Sequence, residues 1–281
     1  MESLEFVSTL RREYPKASIT VIDDNRESRV QSQYGKEVAK SICKYSTVTR
    51  IHQNRGVQFH LGRKIQDMTG SGGVIKSINM TGKTVETDLV IYFPNNVSAN
   101  NEMFEGSYLL DELQFDKTGK ILTGIDLNTG SKRMFAAGDC SAVPSFANSE
   151  RFKNCSYAES IIQGMVAGIN LNAMGIPYAY VPYREYDFYG HKFREIGIMN
   201  YHELIVTEGD LNSFDYMAYY VNKGIGVMKA AGFPKKAKDM QVLRECIRTN
   251  IPIGGDPEST SIFSQVNVDK LEKNIRVVPG N

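Results

Sequence analysis

The amino-acid sequence predicts an α/β protein whose first part is built around a parallel sheet. Short β-branched segments alternate with helical segments over residues 1–95, and this alternation is typical of βαβ units. Beyond residue 176 the predicted strands follow one another with few helices between them, which indicates an α+β module. The chain opens inside a helix rather than with a strand, so we expect the parallel sheet to lack its first strand.

The composition is that of an ordinary globular protein and excludes several functional classes. Of 281 residues, 41% are hydrophobic and 23% are charged, so neither disorder nor a fibrous repeat is expected. Lys plus Arg number 33 and Asp plus Glu 32. The net charge is therefore too small for an overall electrostatic attraction to nucleic acid or to an anionic membrane. No apolar stretch approaches the roughly 20 residues of a transmembrane helix, and the opening residues show no targeting pattern.

Apolar patterning defines the elements of the first unit. Leu4 begins a run of three apolar residues at three-residue spacing, which predicts a helix over 2–14. The β-branched run 18–22, closed by Asp23 and Asp24, predicts a buried strand that ends in a polar turn. The remaining predictions are a helix over 35–46, a strand over 57–61 and a hairpin whose strands, 73–80 and 84–92, meet at residues 81–83.

Two further regions and a tail follow the first unit. Residues 96–176 contain a predicted hairpin over 113–123, a strand over 133–137 and a helix over 156–173. The α+β module covers 177–250, with predicted strands over 193–199, 203–207, 215–221 and 224–231 and a helix over 236–249. The polar and turn-rich residues 251–281 are predicted to form a tail.

The segment Met-Phe-Ala-Ala-Gly-Asp at 134–139 carries the sharpest functional signal. Small residues before an Asp let a cofactor approach the backbone closely, and the Asp139 carboxylate can accept hydrogen bonds from ribityl hydroxyls. The alternative is a strand-to-turn junction in which Asp139 only caps the next turn. A helix then starts near Ser156 and carries small residues at Gly164 and Gly168. Its N-terminus could stabilise the negative charge of a reduced flavin.

The order of these features resembles the FAD-dependent pyridine nucleotide-disulphide oxidoreductases, in the branch of apoptosis-inducing-factor-like proteins and ferredoxin or rubredoxin reductases. The resemblance covers roughly residues 1–250. It is carried by Phe-Ala-Ala-Gly-Asp at 135–139, by Gln163-Gly164 on the following helix, and by Val-Pro-Tyr at 181–183. It implies a truncated Rossmann-like NAD domain over 1–95, the C-terminal part of an FAD domain over 96–176, and an α+β C-terminal domain over 177–250.

The resemblance also implies which residues approach FAD. Gly138 and Asp139 lie at the ribityl chain, and the backbone at Ser156 and Tyr157 lies at the edge of the isoalloxazine ring. No residue is expected to act as a catalytic acid or base, because hydride transfer to a flavin needs none.

The implied NAD residues are three acids of the first unit. Asp23, or its neighbour Asp24, accepts hydrogen bonds from the adenosine ribose, and Glu2 lies near the nicotinamide. An acid at the ribose disfavours NADPH, whereas the nearby Arg26 and Arg29 leave the choice of coenzyme open. The alternative is that Asp23 is a turn residue and that Glu2 is an ordinary first-turn acid favoured by the helix dipole.

Several residues depart from the family pattern. No G-x-G-x-x-G occurs in the chain, so neither pyrophosphate has its usual cradle. Tyr-Phe-Pro-Asn at 92–95 places bulk and a proline where backbone should approach the dinucleotide. Cys140 follows the Asp motif where a small or β-branched residue is more usual. Ser156 and Glu185 stand where relatives often carry a histidine and an aromatic. By these departures, the chain should bind both cofactors poorly.

The four cysteines, at 43, 140, 155 and 246, include no C-x-x-C pair, and no His/Cys group has the spacing of zinc ligands. We therefore expect no metal site and a reducing compartment. Buried structural thiols are a better interpretation of Cys140 and Cys155 than a redox dithiol. An aromatic cluster follows, and it either stacks on the flavin or serves core or dimer packing: Tyr183, Tyr186, Phe188 and Tyr189.

Two functions fit this sequence. The first is an FAD-dependent NAD(P)H oxidoreductase that passes electrons to a ferredoxin-like protein, a quinone or a small oxidant. The alternative is a catalytically inactive, flavoprotein-derived structural subunit of a larger assembly. A further explanation of the missing loops is that Met1 is an internal methionine and the natural chain continues upstream. Residues 177–250 are the expected surface for a homodimer or assembly partner, and the compartment is expected to be the cytoplasm or the mitochondrion.

Overall fold

The computed structural model confirms an α/β protein in which parallel and antiparallel sheets are combined with helices. It describes residues 1–24, 26–40, 42, 48–94, 99–131, 134–148, 150–152, 155–198, 202–222, 226–234, 239–249 and 276–279. Predictions for Cys43, Asn95 and residues 251–275 lie outside these described residues, as do parts of the predicted helices over 35–46 and 236–249.

The first unit contains a parallel strand pair surrounded by short helices. Its elements are α1 (Glu2–Glu13), β1 (Thr20–Asp23), α2 (Arg26–Tyr34), α3 (Lys36–Lys40), α4 (Val48–Gln53) and β2 (Gln58–Leu61). Strands β1 and β2 pair in parallel with Val21 opposite Phe59, as the alternation of strands and helices predicts. Helix α2 has a single aliphatic residue, Val30, so apolar periodicity could not reveal it. Gly35, at φ +76°, separates α2 from α3 in a left-handed conformation.

An antiparallel sheet of three strands follows the parallel pair. Its strands are β3 (Ile65–Ser71), β4 (Val74–Met80) and β5 (Lys83–Glu86). The hairpin predicted around residues 81–83 joins β4 to β5, but β5 ends at Glu86 rather than at residue 92. Strand β3 was not predicted because most of its residues are polar and exposed.

The region predicted over 96–176 contains α5 (Leu109–Glu112), β6 (Ile121–Leu122), β7 (Ser141–Ala142) and α6 (Tyr157–Asn170). The predicted turn within 113–123 is present, with Phe115 bridged to Ile121. A strand over 133–137 is wrong, because among its described residues only Phe135 forms a bridge, to Asn128. Helix α6 agrees with the predicted helix and ends three residues earlier than expected.

A six-stranded antiparallel sheet forms the C-terminal module. Its strands are β8 (Tyr183–Phe188), β9 (His191–Gly197), β10 (Leu204–Asp210), β11 (Asp215–Asn222), β12 (Gly226–Phe233) and β13 (Arg276–Pro279), in the order β13-β10-β11-β12-β9-β8, and helix α7 (Asp239–Thr249) accompanies them. The predicted strands correspond to β9, β10, β11 and β12. Strand β8 contains Tyr183, Tyr186 and Phe188 of the predicted aromatic cluster, and no strand is predicted there from the sequence. Strand β13 comes from the predicted tail and pairs with β10.

One hydrophobic core joins the first unit to the C-terminal sheet. Tyr34 and Val38, from α2 and α3, pack in the same cluster as Phe193 and Ile205 of the sheet. The contact is close at Gly35, where a Cβ atom would lie 2.4 Å from Ile205 Cδ1. The helices that connect β1 to β2 are therefore anchored on the C-terminal module.

A second core cluster holds α6 in place. Ala167 of α6 packs with Val143, Phe152 and Tyr178, which come from the loops on either side of that helix. No helix among the described residues combines the length and the apolar character needed to cross a membrane.

Candidate functional site

The loop at Gly138 and Asp139 is fixed by a fully buried glutamine of α6. The Gly138 N–H donates to Gln163 Oε1 at 2.7 Å, and Ser141 Oγ donates to the Gly138 carbonyl oxygen at 2.8 Å. Gly138 has φ +85°, a left-handed conformation that glycine adopts without a steric penalty. The small residue predicted from the sequence is therefore needed for the turn that presents Asp139.

Asp139 presents a carboxylate to solvent beside the start of α6. Its side chain is 62% exposed, and its Oδ1 accepts hydrogen bonds from Lys120 Nζ at 2.9 Å and from the Cys155 N–H at 3.1 Å. Partial burial raises the pKa of Asp139, but these two hydrogen bonds and the Lys120 charge outweigh it and leave the pKa below its ordinary value. Asp139 is thus ionised at neutral pH and acts only as an acceptor.

Helix α6 begins with a capping box beside this loop. Ser156 Oγ accepts from the Glu159 N–H at 3.2 Å, and the Glu159 carboxylate accepts from the Ser156 N–H. Tyr157 and Ala158 occupy the first two helical positions, whose N–H groups have no carbonyl partner within a helix. Because Cys155 donates its N–H to Asp139, the helix start lies next to that carboxylate.

The predicted FAD residues are therefore gathered in one place. Gly138, Asp139 and Ser156 are linked through Gln163 and Cys155, and Tyr157, an exposed residue, follows directly. The site combines an ionised acceptor with the positive end of a helix dipole.

Beneath the helix start lies a buried ion pair that sequence reasoning missed. The Glu159 side chain is fully buried, and its Oε2 lies 3.5 Å from Arg184 Nη2 of strand β8. Burial alone would lower the pKa of Arg184. The negative charge of Glu159 raises it by more, so the pKa of Arg184 lies well above its ordinary value. The capping pattern Ser-x-x-Glu at 156–159 was readable from the sequence, whereas the partner on β8 was not, because it is 25 residues away along the chain.

The predicted NAD residues lie in the first unit. Asp23 ends β1, and its carbonyl oxygen accepts from the Gly62 N–H at 2.7 Å, just beyond the end of β2. Asp24 follows and is exposed. Both acids thus lie at the carboxyl end of the parallel pair, which is the edge where open α/β sheets bind ligands.

Glu2 lies in the first turn of α1, which packs against strand β8. Burial, and then Glu195, raise the pKa of Tyr186, and the Glu2 charge adds to this rise. On the same helix, Glu5 Oε1 accepts from the Asp187 N–H at 2.9 Å. Glu2 is therefore placed on the side of the first unit that faces the C-terminal sheet.

The donor set fits one half of FAD. An ionised carboxylate accepts from ribityl hydroxyls, and free N–H groups at a helix start donate to the carbonyl oxygens of a flavin ring. The pyrophosphate is different, because the 281-residue sequence contains no G-x-G-x-x-G for either dinucleotide. The residues of this chain therefore fit the ribityl and ring portions of FAD and supply no glycine loop for its phosphates.

Two departures from the family pattern have a clear structural setting. Glu185 accepts from Lys192 Nζ at 2.6 Å and from Arg194 Nε at 2.8 Å, so it belongs to an ion-pair cluster on β8 and β9. Tyr92 has a side chain that is 74% exposed, and the ring of Phe93 lies 5.6 Å from that of Phe6.

The aromatic cluster serves mainly as core. Tyr186 and Phe188 are buried, and the Tyr186 ring lies 6.3 Å from that of Phe193. Tyr189 instead meets His52 Nδ1, with its hydroxyl oxygen 2.9 Å away, so it joins β8 to α4. Of the two interpretations of this cluster, stacking on the flavin or packing in the core, core packing describes these buried rings.

The two cysteines beside Asp139 differ from each other. Cys155 is half-buried, accepts from Gln163 Nε2 at 3.2 Å, and has a pKa raised to about 11 by burial, so it is a structural thiol. Cys140 is exposed, so the expectation of a buried thiol is wrong there, because the turn after Gly138 directs it outward. Among the described residues no group of His, Cys, Asp and Glu could hold a metal ion.

Comparison with known proteins points to one family. A family model described as pyridine nucleotide-disulphide oxidoreductase matches residues 3–160. The human protein named apoptosis-inducing factor 3 is 23% identical over 218 residues, which cover 77% of this chain and 34% of that protein. The mouse protein of the same name is 21% identical over 207 residues. The chain thus spans about a third of the length of these curated relatives.

Solved structures show the same fold. A putidaredoxin reductase in covalent complex with putidaredoxin has a TM-score of 0.73 at 17% identity, over 95% of this chain and 62% of that one. A ferredoxin reductase from Rhodopseudomonas palustris has a TM-score of 0.69 at 18% identity, over 89% of this chain and 58% of that one.

Proposed function

We propose that this chain, which belongs to the pyridine nucleotide-disulphide oxidoreductase family, binds FAD and carries electrons from NADH or NADPH through the flavin to a second acceptor. The observation that carries this proposal is the placement of the ionised Asp139 carboxylate next to the N-terminus of α6. These are the two kinds of group that a ribityl chain and a flavin ring require.

Each residue of the site has a stated task in this proposal. Asp139 accepts hydrogen bonds from ribityl hydroxyls, and Gly138 allows the backbone turn that presents it. The N–H groups of Tyr157 and Ala158, with the α6 dipole, stabilise negative charge on the ring. When bound, FAD supplies the hydride and electron chemistry, so no side chain is assigned as a catalytic acid or base.

On the coenzyme side, we assign Asp23 or Asp24 to the adenosine ribose and Glu2 to the region of the nicotinamide. The support is the position of the two aspartates at the carboxyl end of the β1–β2 pair. A carboxylate there repels the additional phosphate of NADPH, whereas Arg26 and Arg29 nearby in the sequence would attract it, so the assignment covers both NADH and NADPH.

The proposed acceptor is a ferredoxin-like protein. Its support is that two similar solved structures are a putidaredoxin reductase complexed with putidaredoxin and a ferredoxin reductase. A quinone or a small oxidant is the alternative acceptor. The C-terminal module is our proposed surface for a second copy or an assembly partner, and the cytoplasm or the mitochondrion our proposed compartment.

The second candidate function is a structural subunit that keeps the fold without catalysis. The sequence observation that favours it is the missing G-x-G-x-x-G, since neither dinucleotide phosphate has a glycine loop in this chain. In this alternative the C-terminal module, residues 177–250, serves as the assembly surface.

A flavin titration separates the two functions. We expect the purified chain to bind FAD, measured by the change in flavin fluorescence, and Asp139→Asn to weaken binding about tenfold or more, because a charge-assisted hydrogen bond is lost. Asn keeps a side-chain oxygen for Lys120 and Cys155 but removes the counter-charge of the buried Lys120 ammonium, so circular dichroism checks that the variant is folded. The control is Asp111→Asn, an exposed acid on α5. A chain that takes up no flavin contradicts the enzyme and supports the structural subunit.

A further inference from the structure

We infer that Lys120 is the residue that positions Asp139 for the ribityl chain, an inference that rests on the proposed function. The Lys120 side chain is only 5% exposed, while that of Asp139 is 62% exposed, and the two meet at 2.9 Å between Nζ and Oδ1. The buried ammonium of Lys120 thus fixes the exposed carboxylate of Asp139 through its Oδ1 atom.

The backbone fixes Lys120 in this position. Its N–H donates to Asp116 Oδ1 at 3.0 Å, which closes the turn between Asp116 and Lys120. The next residue, Ile121, donates its N–H to the Cys140 carbonyl oxygen at 2.9 Å, and Cys140 directly follows Asp139. The parallel pairing of β6 with β7 therefore sets Lys120 beside Asp139, although 19 residues separate them.

The geometry divides the two carboxylate oxygens between protein and ligand. Both hydrogen bonds that Asp139 accepts within the described residues end on Oδ1, one from Lys120 and one from the Cys155 N–H. This leaves Oδ2 to accept from a hydroxyl at the exposed face. Lys120 does not touch the flavin in this arrangement, so it acts through Asp139 as a positioning residue.

The pairing also keeps the acceptor charged. The Lys120 hydrogen bond and charge favour the ionised form of Asp139 and keep its pKa below the ordinary value, although partial burial raises it. Without Lys120, the Asp139 carboxylate would turn more freely and would take up a proton at a higher pH. FAD affinity would then fall at neutral pH, because the carboxylate is no longer fixed toward the ribityl chain.

The test uses the full chain with two substitutions of Lys120 and one control. Lys120→Met removes the charge but keeps the length of the side chain, Lys120→Arg restores a cation, and Lys117→Met alters an exposed lysine of the same turn. FAD affinity is measured by fluorescence titration between about pH 5 and pH 8. The pKa of Asp139 is measured by carboxyl ¹³C NMR without flavin.

We expect Lys120→Met to weaken FAD binding about tenfold at neutral pH, and Lys120→Arg to recover most of the loss. Lys117→Met should bind as the unaltered chain does. Carboxyl NMR should show a higher Asp139 pKa in Lys120→Met alone. In an Asp139→Asn background, Lys120→Met should cost little further affinity, because the lysine acts through that carboxylate.

The outcomes separate this inference from the proposed function. If the unaltered chain and Lys120→Met bind FAD equally well at every pH, Lys120 has no positioning role although the proposed function stands. If Lys120→Met weakens binding as much in the Asp139→Asn background, the lysine acts by another route and the inference is wrong. If the unaltered chain binds no FAD, both fail, and circular dichroism shows whether the chain is folded.

Discussion

At the scale of single residues, the contacts around Asp139 assign different chemistry to neighbouring side chains. Cys155 accepts from Gln163 in a half-buried position, and its pKa is raised to about 11 by burial. Cys140, two residues after the positive-φ Gly138, is exposed. The thiolate is the reactive form of cysteine, so only the exposed thiol is placed to react readily at neutral pH.

We therefore predict that a thiol-alkylating reagent modifies Cys140 much faster than Cys155 near neutral pH. Modification of Cys155 should accelerate about tenfold per pH unit while the pH stays below about 11, because the thiolate fraction rises in that way. Mass spectrometry of the two peptides over time measures both rates, with Cys140→Ser as the control for assignment. Equal rates at neutral pH would contradict this description of Cys155.

Whether a site residue can be predicted from the sequence depends on how far along the chain it lies from the residues that it contacts. Gly138 and Asp139 were predicted because a glycine and a carboxylate occur together in one short segment. Lys120 was not, because its contact with Asp139 depends on the parallel pairing of β6 and β7, whose short strands carry no periodicity. Arg184 was missed for the same reason, since β8 meets α6 only in the folded chain.

At the scale of elements, the start of α6 is held from two sides. Its capping box satisfies N–H groups within the helix, and Arg184 of β8 meets the buried Glu159 carboxylate. Removing one partner of a buried ion pair leaves the other charge without compensation, which costs more than the pair contributes. The position of the helix start, and with it the backbone at Ser156, depends on this contact.

We predict that Arg184→Met lowers the free energy of unfolding by about 3 kcal/mol, because Glu159 is then buried without its cation. Urea denaturation followed by circular dichroism measures the change. Lys192→Met is the matched control, because that cation pairs with Glu185 at the surface and its removal should leave stability nearly unchanged. Equal and small effects of the two substitutions would refute a structural role for Arg184.

Elements with regular apolar spacing could be predicted, and the others could not. Helices α1 and α6 and strands β10 to β12 have such spacing or continuous apolar runs, and the structure confirms them. The polar helix α2 is held by tertiary packing through Tyr34, which no local pattern reveals. The predicted strand over 133–137 is wrong because, among its described residues, only Phe135 forms a bridge, and the small residues that follow it lead into the turn at Gly138.

At the scale of the whole molecule, a buried polar cluster joins the first unit to the C-terminal sheet. Lys229 Nζ lies 2.7 Å from Glu195 Oε1, and the Tyr34 hydroxyl donates to Glu195 Oε2 at 2.9 Å. Tyr220 donates its hydroxyl to the Tyr34 carbonyl oxygen at 2.9 Å. Burial raises the pKa of Glu195, but Lys229 outweighs this effect and leaves the pKa below its ordinary value.

This cluster predicts a loss of stability in acid. Because the folded pKa of Glu195 is below its unfolded value, the unfolded chain binds the proton more tightly. The stabilisation is therefore complete above the ordinary pKa of about 4.5 and is lost as the pH falls below it. Thermal unfolding at several pH values should show a steep fall that Glu195→Gln reduces and that the exposed Glu105→Gln leaves unchanged. An unaltered pH profile in Glu195→Gln would contradict this.

We propose that Asp139 and the start of α6 form a flavin site. The most direct measurement is backbone amide NMR of the chain during titration with FAD. We predict the largest chemical-shift changes at Gly138, Asp139, Tyr157 and Ala158, with none at the β4–β5 hairpin, which contributes no residue to the proposed flavin site. Shifts confined to other parts of the chain, or no shifts at saturating FAD, would contradict the claim.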